Sequence, residues 1–225
     1  MKSNWIVFTI SIFLCLALGL PGETFAIQGF DISSGGLPTI TGALNGSVTG
    51  TSNVTQDLVV TVDFGEVSPA NPNGAVRVVV PIAIRSSAPY QIRVTMTGST
   101  NANPQAIQFS DMGFGVENMR IMGSRSQTCT NSSHIFAAIF NNDPLTTAFI
   151  SASGRVAYQS TLDNISGSTL LLSGPTLTNF NGSNRRTDDG WIFDAVLVIT
   201  PQYFAPGTKS ATLTFTISAG PNVSC

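Results

Sequence analysis

From residue 57 onward the chain alternates between apolar and polar positions. In AVRVVVPIAI (75–84), Val76, Val78, Val80, Ile82 and Ile84 share one parity and Arg77 takes the other. A period of two predicts a strand with one buried face. PYQIRVTM (89–96) repeats the pattern, with Ile92, Val94 and Met96 set against Gln91, Arg93 and Thr95. WIFDAVLVIT (191–200) places Trp191, Phe193, Ala195, Leu197 and Ile199 on one face. ATLTFTIS (211–218) ends the series with Leu213, Phe215 and Ile217 inward and Thr212, Thr214 and Thr216 outward. DLVVTVDF (57–64) is short and β-branched. Pro81 has no N–H for a ladder, which predicts an edge strand or a bulge at that point. NPNG (71–74) and SSAP (86–89) have turn chemistry, so residues 57–96 are expected to form an antiparallel meander.

The middle of the chain is patterned more weakly. QAIQFS (105–110) and HIFAAIF (134–140) read as strands, the second equally as one or two helical turns. RVAYQS (155–160) and STLLLSG (168–174) flank the turn DNISG (163–167) and read as a hairpin. GFGVENM (113–119) starts like a nucleotide-binding glycine loop but lacks its third glycine, and reads as a turn. Upstream, residues 27–56 are rich in Gly, Ser, Thr and Asn, with Ile40, Leu44 and Val48 but no sustained alternation. That arm reads as a linker, a weak edge strand, or a segment that orders on a partner. Many short strands with near-regular turn signals predict an all-β fold. We expect an antiparallel immunoglobulin-like β-sandwich of Greek-key type, residues 57–225, with a flexible N-terminal arm at 27–56.

The first 26 residues carry a different signal. Lys2 precedes the uncharged run Trp5 to Leu20, and Thr24 and Ala26 are small residues at the −3 and −1 positions of a cleavage site. This is the pattern of a secretory signal peptide, with a mature chain starting at Ile27. The expected location is therefore secreted, periplasmic or at the cell surface, with no stable membrane span in the mature chain. Loss of Lys2 and Glu23 leaves nine basic and eleven acidic residues without a basic run, so a nucleic-acid partner lacks its electrostatic footprint. Loss of Cys15 leaves Cys129 and Cys225. In an oxidising compartment they are expected to form one disulfide, worth about 4–5 kcal/mol for so long a loop. Free or intermolecular thiols are the alternative.

Candidate chemistry is sparse. His134 is the sole histidine, and no G-x-S-x-G elbow surrounds a serine. A triad through His134 would have to assemble in space; a surface or hydrogen-bonded histidine is the simpler reading. Asp188 and Asp189 follow Arg185 and Arg186 in the loop 179–190, which reads as an internally ion-paired loop. A calcium site from Asn181, Asn184, Asp188 and Asp189 is the sharper alternative, opposed by the two arginines. Trp191, Tyr90, Tyr158 and Tyr203 are expected to fill core ends rather than form a sugar-stacking platform. No catalytic, cofactor or metal residue is assigned.

Three fragments resemble a known group when taken together: VDFGEVSP (62–69), SSAPYQIRVTM (86–96) and APGTKSATLTFTI (205–217). They are similar to secreted bacterial β-sandwich proteins of the pilin kind, especially the spore coat protein U-like group of fimbrial subunits. The resemblance implies a non-enzymatic subunit of an extracellular fibre or coat, or an adhesin. Its partners would be proteins, or further copies, joined through a sheet edge by β-augmentation, with the arm 27–56 as the donor candidate. An extracellular glycan- or matrix-binding module is the alternative function.

Overall fold

The computed structural model describes residues 29–43, 45–52, 56–65, 67, 74–98, 103, 105–122, 133–177, 190–202, 204 and 210–224. Thirteen strands lie within them: β1 (Phe30–Ser34), β2 (Thr39–Thr41), β3 (Ser47–Ser52), β4 (Asp57–Asp63), β5 (Val76–Ser86), β6 (Tyr90–Gly98), β7 (Gly113–Met122), β8 (Ile135–Phe136), β9 (Phe149–Ile150), β10 (Val156–Ala157), β11 (Thr169–Gly174), β12 (Gly190–Ile199) and β13 (Ser210–Ala219). Among the described residues the helical pieces are short 3₁₀ turns such as Phe109–Asp111 and Leu162–Asn164.

Eleven of the strands build two antiparallel sheets that face each other, and β9 and β10 pair as a separate ribbon. The first runs β1–β5–β12–β7, with β2 also on β5; the second runs β3–β4–β13–β6–β11–β8. Successive long strands alternate between the layers, and the last two insert centrally, β12 between β5 and β7 and β13 between β4 and β6. The meander expected over 57–96 is therefore absent. β4 and β6 are separated by β13, and β5, between them in the chain, lies in the other sheet. Turn chemistry announces a reversal of direction but says nothing about which layer the next strand enters.

The period-two reading holds for the long strands. Val76, Val78, Val80, Ile82 and Ile84 from β5 meet Leu58, Val60, Leu213, Phe215 and Ile217 from the second sheet in one core, all essentially without solvent exposure. At about 1.5–3 kcal/mol for each fully buried large apolar side chain, this interface dominates the stability. β12 is buried on both faces, because Val196 and Val198 are covered from outside by Tyr158. The Tyr158 hydroxyl donates to Thr200 Oγ1 (3.0 Å) and accepts from the Thr200 N–H (2.7 Å). Residues 137–160 thus act as a partial third layer over the first sheet.

Several local expectations change. Pro81 lies in a strand paired on both sides and in unbroken register with β12. Its carbonyl accepts from the Gly35 N–H (2.8 Å), so its missing N–H faces the gap where the neighbour breaks between β1 and β2. The irregularity is in the neighbouring strand. GFGVENM is the start of β7, not a turn. Residues 105–110 lead into a 3₁₀ turn rather than a strand. Residues 155–160 do not pair with 168–174: β10 pairs with β9, while β11 pairs with β6 and β8. HIFAAIF is a two-residue strand followed by a turn. Within the arm, the weak-edge-strand reading is the observed one, since Phe30–Ser52 supplies β1 and β2 to the first sheet and β3 to the second. No helix among the described residues is long and apolar enough to cross a membrane.

Candidate interaction edge

The arm makes one whole flank of the sandwich. β1 and β2 border the first sheet, and after a turn at Gly42 (φ 76°) β3 borders the second. Ile32 is completely buried and Asp31 pairs with Arg85 (2.9 Å), so the arm is fixed to β5 by both packing and charge. Between β1 and β2 the chain bulges after Gly35, whose N–H is held by the Pro81 carbonyl, and Leu37 is 89% exposed. Pro38 turns back toward β3, where a side chain at Gly50 would begin 3.9 Å from its ring.

β3 itself pairs only on its inner side among the described residues, from Ser47↔Asp63 to Ser52↔Leu58. No charged residue occurs anywhere from residue 32 to 56. Thr49 is exposed and begins a cross-strand row on the outer face, Thr49–Thr61–Thr212–Thr97. The Thr61 and Thr212 hydroxyls in this row are 3.1 Å apart. Natural sheets blunt open edges with charge, proline, bulges or extreme shortness. Six residues of β3 contain none of these.

The opposite flank is capped over part of its length. Residues 133–165 run past the edges of both sheets there. The β7 edge is capped where Val116 N–H donates to Phe140 O (2.7 Å) and Phe114 N–H donates to Ser160 O (3.1 Å). β11 is capped by β8 and by the Ala137 N–H donating to Leu171 O (2.8 Å). Gly115 permits this approach: a Cβ there would lie 2.1 Å from the Asn142 carbonyl oxygen.

Charge collects on that flank and on the outer face of the first sheet. β7 carries a bulge that sets Asn118 and Met119 against Phe193, with Asn118 at φ 56°. The bulge aims two groups at the nearly buried Asp194: Asn118 Nδ2 (2.7 Å) and the Arg120 guanidinium, which is bidentate at 2.9 Å to each oxygen. Arg77 bridges Glu117 (2.8 Å) and Asp143 (3.3 Å). Burial, then the Asp143 and Asp194 charges, push the Glu117 carboxyl above its usual value of 4.5 against the opposing pull of Arg77. Arg155 reaches Asp111 at 3.1 Å and lies 5.1 Å above the Phe204 ring. These pairs form struts between elements. Among the described residues no three His, Cys, Asp or Glu side chains converge as a metal site.

The aromatic candidates are core residues. Trp191 and Tyr90 are fully buried and Tyr158 nearly so, and burial pushes the Tyr90 phenol well above its usual range. His134 is also buried, with its ring 4.8 Å from Trp191 and 6.1 Å from Tyr90. Cys129, Cys225, Asn181, Asn184, Arg185, Arg186, Asp188, Asp189, Tyr203 and the signal segment lie outside the described residues.

The sequence reading singled out none of Leu37, Thr49 or the Arg120–Asp194 pair. The ion pair joins residues far apart in the chain and leaves no local trace. The charge-free run from 32 to 56 was the available signal for the edge, because strands meant to stay exposed usually carry a charge. No family model, curated protein or solved structure matches this chain.

Proposed function

We propose that the chain is an exported, non-enzymatic structural or adhesive subunit, of the pilin or surface-coat kind, that assembles by β-strand pairing on its arm flank. The observation that carries this reading is the β3 edge, six residues without charge, proline or bulge on a molecule whose other flank is capped. An edge of this composition offers free N–H and C=O groups to a foreign strand. In this reading the arm is the receiving surface. Donation of the arm to a neighbour would first require Ile32 and the Asp31–Arg85 pair to leave their own sheet.

The glycan-binding alternative has less support, since Trp191, Tyr90 and Tyr158, the described rings of the suggested stacking set, are buried. A hydrolase through His134 has less still, with that ring packed among core aromatics. The test is to shear the surface of cells producing the protein and examine the released material by immunoelectron microscopy. Ordered assemblies carrying the protein are expected. Recovery solely as a dispersed monomer, with no assembly on concentration, would overturn the reading.

A further inference from the structure

We infer that the strand received by β3 is β3 of a second copy, paired antiparallel about a two-fold axis perpendicular to the sheet. This rests on the edge-assembly reading and adds the identity of the partner. Three features of the arm flank lead to it.

The first is electrostatic. Across a two-fold axis a residue near the axis faces its own copy, so a charge at the centre of β3 would meet a like charge. The charge-free run from 32 to 56 removes that conflict along the whole edge. A strand chosen for a different, charged partner would gain from complementary charge, and β3 has none to offer.

The second is the threonine row. Thr49, Thr61, Thr212 and Thr97 already lie side by side across four strands, with hydroxyl contact between Thr61 and Thr212 at 3.1 Å. A perpendicular two-fold keeps the same face outward in both copies, so the threonine face of one molecule continues into that of the next. Cross-strand threonine pairs are favourable in antiparallel sheets.

The third is Leu37. It is 89% exposed, the most exposed large apolar side chain among the described residues, and it adjoins Pro38 beside Gly50 of β3. Side-by-side docking at β3 brings the two bulges into the flanks of the interface and covers an otherwise unexplained apolar group. The product is one sheet with six strands from each copy. The pairing closes on itself, so longer assemblies must grow through another surface.

The test is sedimentation of the full mature protein over a range of concentrations, with folding checked by circular dichroism. The variants are Thr49→Lys, Leu37→Glu and, as a control on the first sheet's border strand, Ser33→Lys. The wild-type chain should reach a dimer whose dissociation constant rises at least about tenfold in Thr49→Lys and in Leu37→Glu and stays put in Ser33→Lys. Amide exchange over 47–52 should slow on dimerisation and speed up in Thr49→Lys. An oligomer indifferent to Thr49→Lys and Leu37→Glu would overturn β3 self-pairing while leaving edge assembly standing. A monomer at every concentration, with wild-type exchange at 47–52 independent of concentration, would overturn both.

Discussion

The two flanks of this sandwich handle the same hazard in opposite ways. On the 133–165 flank, backbone groups of β7 and β11 are capped by neighbouring chain, a bulge interrupts β7, and Arg120 and Glu117 stand on the strand. On the arm flank, β3 has no cap among the described residues, no bulge and no charge. The contrast teaches that the molecule has the means to close an edge and leaves β3 without them. The plain β3 edge is then a property to be explained, and the assembly proposed above accounts for it.

The sharpest way to break the contrast is to force the closed flank open. Gly115→Val places branched carbon where the Asn142 carbonyl passes, 2.1 Å from the Cβ position. Backbone cannot yield as a side-chain tip does, so residues 140–144 must lift from β7. We expect about 3 kcal/mol of destabilisation, read from the urea midpoint, together with new self-association through the uncovered β7 edge. An unchanged midpoint would mean that this contact does not hold the cap in place.

Ile32→Ala weakens the arm flank instead. It removes a fully buried side chain from β1 without touching β3. The expected cost is about 2–3 kcal/mol, near the lower end for such truncations because β1 is a border strand. If the arm merely rested on the body, the cost would be close to zero.

How far these flanks were legible in the chain depends on the range of the interactions. β5, β6, β12 and β13 were readable because burial of one face writes a period of two into the local sequence, as in Leu213, Phe215 and Ile217. β3 was not, because SVTGTS contributes a single apolar side chain, Val48, to the core. β7 was misread as a turn because glycine in GFG signals a bend. Here Gly113 and Gly115 serve instead to admit Pro144 and Asn142 against a strand. Layer assignment was beyond local reading: nothing in NPNG or SSAP distinguishes a hairpin from a crossing between sheets. The Asp194 site was invisible because its partners, Asn118 and Arg120, lie more than seventy positions away.

Arg120→Met tests whether the charges on the closed flank are structural. It leaves the nearly buried Asp194 with Asn118 alone. Breaking a buried pair from one side costs more than the pair contributes, because the remaining charge is stranded. With Arg120 itself partly exposed, we expect about 2 kcal/mol. Arg120→Met combined with Asp194→Leu should recover most of the loss. A double variant no better than the single one would show that Asp194 matters for something other than its partner.

Glu117 gives the smallest and most specific effect. Its carboxyl is raised above 4.5 in the fold, first by burial and then by Asp143 and Asp194, with Arg77 opposing. For an acid, a raised folded value means that the native state holds its proton more tightly than the unfolded chain does. By linkage this contribution is present below the ordinary value of 4.5 and is lost as pH rises through the folded one. Ionised Glu117 is therefore a mild liability at neutral pH despite its bond to Arg77. Glu117→Gln should shift stability by no more than about 0.5 kcal/mol, the scale of a partly exposed pair, and its advantage over wild type should be greater at pH 7 than at pH 4. Urea midpoints of both proteins at the two values decide the matter. A variant that fares relatively worse at pH 7 would mean that the Arg77 bond outweighs burial and the neighbouring carboxylates, making the closed flank more strongly stapled by charge than the geometry suggests.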